Sequence, residues 1–130
     1  RSEKDRLDSI RYGSMNLARE ILTINDNLSR ALESIKTEQN KPESVNQLID
    51  GLNMVQKEFM NILNKHGVKK IDAIEKKFDH NFHQAVVEVE TDDHEEGIVV
   101  QEIQSGFTMY ERLLRPAMVG VSKKLKNKKK

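Results

Sequence analysis

The sequence predicts an α+β protein. A long coiled-coil-like helix and a shorter helix come first, closing a four-helix bundle in the dimer, and a small antiparallel β-sheet domain comes after them. Three observations carry this expectation. Apolar residues step by three and four through the first third of the chain, which is the spacing of a helical seam. A polar break and a proline at Pro42 then open a second helical pattern, which stops at His66-Gly67. From Phe78 to Ser122 the pattern changes to alternation of apolar and polar residues between turn signals, as in half-buried strands. The expected divisions are a helical stalk and dimerisation bundle over 1–67, a β domain over 68–122, and a basic, disordered tail over 123–130.

The first helix is expected from about Ser2 to Ile35. Leu7, Ile10, Leu17, Ile21, Ile24 and Leu28 form its seam, continued by Ala31 and Ile35, with Ser14 filling the gap. A second stripe of Ala18, Leu22 and Leu32 widens the apolar face, as suits a helix meeting more than one neighbour. Such a helix would extend about 50 Å at 1.5 Å per residue. With one apolar edge it needs a partner, most simply a second copy of the chain. The expected dimer interface therefore includes Leu17, Ile21, Ile24 and Leu28. Gly13 inside this helix costs about 1 kcal/mol relative to alanine, and marks either local weakness or close helix approach. The narrow seam and the interior glycine predict that the long helix melts before the bundle and the β domain, seen as separate calorimetric transitions.

Thr37 to Lys41 are polar, and Pro42 suits the first turn of the next helix, where its missing N–H costs nothing. Val45, Leu48, Ile49, Leu52, Val55, Phe59, Ile62 and Leu63 make one broad apolar face on it. Leu48, Leu52, Val55 and Phe59 are the expected dimer contacts from this helix. Gly51 beside the stripe is either a tolerated surface glycine or a point where another protein's backbone approaches closely.

Val68 to Lys77 is expected to be a linker or a first short strand. Ala85, Val87 and Val89 are expected on one face of the next strand, with Val86, Glu88 and Glu90 on the other. Thr91 to Gly97 is an acid-rich turn, Ile98 to Gln104 another strand, and Ser105-Gly106 turns into Phe107-Thr108-Met109-Tyr110. Pro116 precedes the last strand, Ala117 to Ser122. The domain offers four to six short strands, too few for a large pocket.

Several function classes fall away. Without cysteine there are no disulfides, thiol nucleophiles or Cys-type zinc sites, and a reducing compartment is permitted. No apolar run approaches the roughly 20 residues of a membrane span, and no secretory pattern opens the chain. The chain starts inside a helical pattern without Met, so further natural sequence is expected ahead of it. The net charge of +1 hides an asymmetry: residues 123–130 hold 6 of the 22 basic groups, leaving 16 basic against 21 acidic groups elsewhere. A mildly acidic body argues against a broad nucleic-acid footprint. For the tail, a solvated end is the plain reading and nonspecific attraction to a polyanion the alternative. His80, His83 and His94 lack a metal-ligand spacing, and a turn-capping role fits them better. No phosphate loop or nucleophile elbow occurs. No catalytic, cofactor or metal residue is therefore assigned, and the protein is expected not to be an enzyme.

Phe78-Asp79, then His83-x-Ala85-Val86, Gly106-Phe107 after a gap of about 20 residues, and Arg112-x-Leu114-Arg115-Pro116-Ala117-x-Val119-x-Val121 resemble the signature of the GrpE family. Leu28-x-Arg30-Ala31-Leu32, Leu48-Ile49-x-Gly51-Leu52 and Lys65-His66-Gly67-Val68 extend the likeness upstream. The resemblance covers most of residues 12–122. It implies a nucleotide-exchange factor of a DnaK-type chaperone, acting in protein folding and the heat-shock response. The implied homodimer pairs two long helices, closes a four-helix bundle and spreads two β wings. One wing props open the chaperone's nucleotide-binding domain, ADP leaves, and ATP can rebind. By position in the motif, Arg112 would be a charged contact, Ile103 and Val121 apolar contacts, and Gly51 a close-approach point. For Arg112 the alternative is an intramolecular pair or solvent, and for Ile103 it is core. Leu113, Leu114, Ala117 and Val119 are expected in the core, and Arg115 in a structural role. The implied compartment is the bacterial cytoplasm, with an organelle matrix as alternative. A coiled-coil structural or adaptor protein docking an unrelated partner is the alternative function.

Overall fold

A computed structural model describes residues 2–125, and most of the basic tail expected over 123–130 lies outside the described residues. The chain divides into two compact units, Arg1–Val68 and Lys69–Lys130. The first is helical. It comprises α1 (Ser2–Tyr12), α2 (Met15–Lys36) and α3 (Glu43–Lys65). The second is built on six strands, β1 (Val68–Lys70), β2 (His83–Glu90), β3 (Val99–Gln104), β4 (Phe107–Met109), β5 (Arg112–Arg115) and β6 (Ala117–Lys123). The fold class is α+β.

The long first helix is bent at Gly13-Ser14, where α1 gives way to α2. Gly13 N–H still donates to the Ser9 carbonyl at 2.9 Å, and beyond the bend Ala18 N–H donates to that of Ser14 at 2.9 Å. A Cβ on Gly13 would stand 2.6 Å from the Ser9 oxygen. The glycine stands at the bend. At the other end of α2, the Thr37 hydroxyl donates to the Ser34 carbonyl at 2.8 Å.

Asn40 takes a left-handed backbone (φ 59°) in the link to α3. Pro42 is the N-cap of α3 rather than part of its first turn, and its carbonyl accepts from Val45 and Asn46 N–H, each at 3.1 Å. At the far end His66 is the C-cap, and Gly67 (φ 89°) takes the left-handed position that ends helices at little steric cost.

α2 and α3 pack as a hairpin. Ala18, Leu22 and Leu32 are buried on α2, and Ile49 and Leu63 on α3. Between Ile49 and Leu63 sits Gln56, whose amide donates to Asn25 Oδ1 at 3.2 Å and to Ser29 Oγ on α2. The hairpin seam is thus apolar at its ends and hydrogen-bonded in the middle.

The β unit holds two three-stranded sheets, ordered β1-β4-β5 and β2-β6-β3. In the second, β3 pairs antiparallel with β6, but β2 runs parallel to it. The long stretch between β2 and β6 supplies the crossover a parallel pair requires, which local alternation does not reveal. Ala73, Val99, Ala117 and Val119 form one buried cluster, with Ile71, Phe78 and Val121 packed against it, and Phe107, Met109 and Leu114 are buried as well.

An irregularity between Ala85 and Val87 resets β2. Ala85 pairs with Val119, but Val87 pairs with Gly120, whose side of β6 is opposite. Ala85 and Val87 therefore do not share a face, contrary to plain alternation, because the extra residue of a bulge turns the rest of the strand over. Val86 and Val87 are left exposed.

Candidate binding surfaces

On α2 two heptad seams run side by side. Ala18, Leu22, Asn25, Ser29 and Leu32 serve the hairpin with α3. One residue behind lies the seam expected to pair two chains. Leu17 and Ile24 are 60% and 64% exposed, while Ile21 and Leu28 are half-buried. On α3, Leu48 and Val55 are likewise exposed and Leu52 and Phe59 half-buried. The helical unit thus carries an apolar stripe that its own fold leaves in water, and contiguous stripes of this kind mark interaction surfaces. Gly51 lies beside it on α3, exposed, with nothing within 4 Å of the place a Cβ would take. No side chain of the described residues fills that point, and a shallow groove with Met54, Val55, Lys57, Glu58 and Asn61 adjoins it.

In the β unit the three candidate contacts fall in different settings. Ile103 is 50% exposed. Register irregularities between Val99 and Gln101 and between Glu102 and Gln104 place Glu102, not Gln101, opposite the buried Val119, so Ile103 does not continue the inward row that Val99 begins. Val121 pairs with Val99 on the core face of β6 and packs against the core. Ile103 and Val121 belong to one sheet, yet one is an outward residue and the other a core margin. Arg112 is exposed on the other sheet, opposite Met109 at the end of the β4–β5 ladder. The neighbouring Leu113, expected in the core, is 38% exposed, whereas Leu114, Ala117 and Val119 are buried.

Arg115 holds this region together. Its Nε–H donates to the Ser105 carbonyl at 2.8 Å, and its guanidinium lies 5.5 Å from the Phe107 ring centre. A planar cation suits both at once. Glu102 Oε1 pairs with Lys70 Nζ at 3.3 Å, and Glu88 with Lys123 at 3.3 Å. Neither pair is visible in the sequence pattern, since the partners lie on different strands.

His83 and His94 have structural partners. His83 is buried, its Nδ1 accepts the Asp79 N–H at 3.0 Å, and its ring meets Phe78 with centroids 5.8 Å apart. Asp79 Oδ1 accepts from Asn81 N–H at 3.0 Å, closing the turn before β2. His94 Nε2 faces the Glu75 carboxylate at 3.1 Å. Among the described residues no group of three or more His, Asp or Glu could hold a metal ion, and no helix is long and apolar enough to cross a membrane.

The helical hairpin carries an exposed apolar stripe and the two-sheet β unit exposes Ile103 and Arg112, the kind of surface found where chains meet. Comparison with known proteins gives the family. The GrpE family model matches residues 1–123. Protein GrpE of Zymomonas mobilis subsp. mobilis is 44% identical over 123 residues, covering 95% of this chain and 64% of the relative. Protein GrpE of Agrobacterium fabrum is 47% identical over 125 residues, covering 95% and 59%. That of Rhizorhabdus wittichii is 42% identical over 123 residues, covering 95% and 68%. The chain belongs to the GrpE family. It spans about three fifths to two thirds of the length of these curated relatives.

Proposed function

We propose that the protein is a nucleotide-exchange factor that works as a homodimer on a DnaK-type chaperone. Membership of the GrpE family carries this reading. The β unit would bind the chaperone's nucleotide-binding domain in its open form, ADP would leave, and ATP would rebind. No bond in the nucleotide needs to be made or broken. The two ligands of the chaperone are coupled: a factor that prefers the open state weakens ADP binding, and ADP weakens the factor's binding by the same amount.

The surfaces support parts of this. Exposed Leu17, Ile24, Leu48 and Val55 offer the apolar stripe a second copy would cover. Ile103 and Arg112 are placed where a partner can reach them, and Gly51 leaves room for a close backbone. Val121 is better suited to supporting the contact surface from the core margin than to making a large contact itself. Bacterial relatives favour the bacterial cytoplasm as the compartment. The test is release of labelled ADP from a DnaK-type chaperone, with a mass measurement alongside. Acceleration by a species of twice the chain mass supports the reading. Unchanged release at saturating protein overturns it.

A further inference from the structure

Each helix of the hairpin carries two parallel rows, and they are not equivalent. On α2 the inner row, Ala18, Leu22, Asn25, Ser29 and Leu32, steps by four and three and serves the packing on α3. The outer row, Leu17, Ile21, Ile24 and Leu28, follows one residue behind, about 100° around the helix. On α3 the inner row is Ile49, Gln56 and Leu63, and the outer row Leu48, Val55 and Ile62, each at a heptad spacing. The outer rows are apolar throughout, and Leu17, Ile24, Leu48, Val55 and Ile62 are exposed. The inner rows are polar in the middle, at Asn25, Ser29 and Gln56. Burial of apolar surface alone would turn Ile24, Leu28 and Val55 inward at this level. The fold turns Asn25 and Gln56 inward instead and leaves both half-buried.

What holds them there is mutual. The Gln56 amide donates to Asn25 Oδ1 at 3.2 Å and to Ser29 Oγ, so one side chain on α3 serves two acceptors a helical turn apart on α2. Both bonds require the two inner rows to face each other. An apolar row laid on either inner row would cover Asn25 or Gln56 and leave its amide without a partner, which costs more than the bond itself contributes. The outer rows hold no such group. A polar position in an otherwise apolar seam is the best-attested device for fixing which helices pair and in what register. We infer that Gln56, Asn25 and Ser29 form a matching layer that determines pairing specificity. The inner row of α2 accepts only the inner row of α3, and the outer rows stay available for a second copy of the chain. The second copy rests on the homodimer reading above. Without the layer α2 would present two apolar seams of equal kind, and copies joined through either seam form open chains rather than a closed pair.

The test replaces the layer in the full chain and reads mass and stability together. Asn25→Leu, Ser29→Ala and Gln56→Leu combined remove the polar side chains from the middle of the inner rows and bring in good helix formers. Analytical ultracentrifugation across a concentration series should show the unsubstituted chain at twice the chain mass, and about half of the combined variant in species above that mass. The thermal midpoint of the combined variant, followed by helical signal, should hold or rise, because leucine replaces half-buried amides. Gln56→Leu alone should instead lower the midpoint by about 3 °C, since Asn25 and Ser29 then face a side chain that cannot donate. A combined variant that remains a single species of twice the chain mass overturns this inference alone. So does a combined variant with a lowered midpoint, which would make the layer a source of stability rather than of selection, and so does an unchanged midpoint for Gln56→Leu. An unsubstituted chain that stays at one chain mass overturns the homodimer reading and this inference together.

Discussion

Gly106 passes Ala117 so closely that a Cβ on the glycine would stand 2.3 Å from the Ala117 nitrogen. Ala117 is fully buried, Gly106 is flanked by the buried Phe107, and the Gly106 carbonyl accepts the Ile71 N–H at 2.8 Å. Two backbones meet there, so no side-chain rotation can relieve a methyl group. Gly106→Ala is expected to destabilise the β unit by about 3 kcal/mol, at the upper end of overpacking costs. Thermal unfolding monitored by the sheet signal checks this. A midpoint within a degree or two of the parent would mean the strands can part without loss.

Gly51 presents the opposite case. It lies inside α3, exposed, and a Cβ there meets nothing within 4 Å. Gly51→Ala is expected to stabilise the helix by about 0.5–1 kcal/mol. Gly51→Asp should leave the helical signal intact and reduce exchange, because it fills the space proposed for the chaperone backbone. Exchange kinetics identical for Gly51→Asp and the parent would remove this point from the proposed contact.

Ile103 and Val121 should separate stability from binding. Ile103 is displaced from the ladder and half in water, so Ile103→Ala should change stability by less than about 0.5 kcal/mol. Its half-maximal concentration for exchange should rise severalfold. Val121 packs on the core, so Val121→Ala should cost about 1–2 kcal/mol. Equal destabilisation by the two substitutions would contradict the outward placement of Ile103.

The paired seams of α2 make a similar distinction. Leu22 is fully buried within the hairpin, and Leu22→Ala should cost about 3 kcal/mol. Chemical denaturation followed by helical signal measures that loss, and an unchanged midpoint would contradict it. Ile24 is 64% exposed, and Ile24→Asp should instead halve the mass in solution if a second copy covers it. Analytical ultracentrifugation across a concentration series reads the mass. A dimer unaffected by Ile24→Asp would place the interface elsewhere.

Much of the fold is legible in the sequence because periodicity survives wherever packing is regular. The steps of Leu17, Ile21, Ile24 and Leu28, the proline opening α3 and the His66-Gly67 stop all locate helices correctly. The hairpin seam is less visible, since Asn25, Ser29 and Gln56 occupy its middle with hydrogen bonds, which no hydropathy pattern records. In the β unit, the strands are found but their faces are not. Irregularities at Val86 in β2 and at Val100 and Ile103 in β3 reset the inward side partway along those strands. The parallel pairing of β2 with β6 depends on contacts far apart in the chain. Arg115 is recognisable as structural from its place before Pro116, but its bond to Ser105 and its stacking on Phe107 depend on the register of β4 and β5. The left-handed backbone of Tyr110 (φ 53°) is hidden for a related reason: its residue type signals a strand, not a turn.

The central claim is tested most directly by stopped-flow release of fluorescent ADP from a DnaK-type chaperone. It should be measured against increasing concentrations of the full chain. The account predicts a release rate that rises and saturates with the chain, and that falls back when Ile103 and Arg112 are replaced together. A rate independent of the chain's concentration would contradict it.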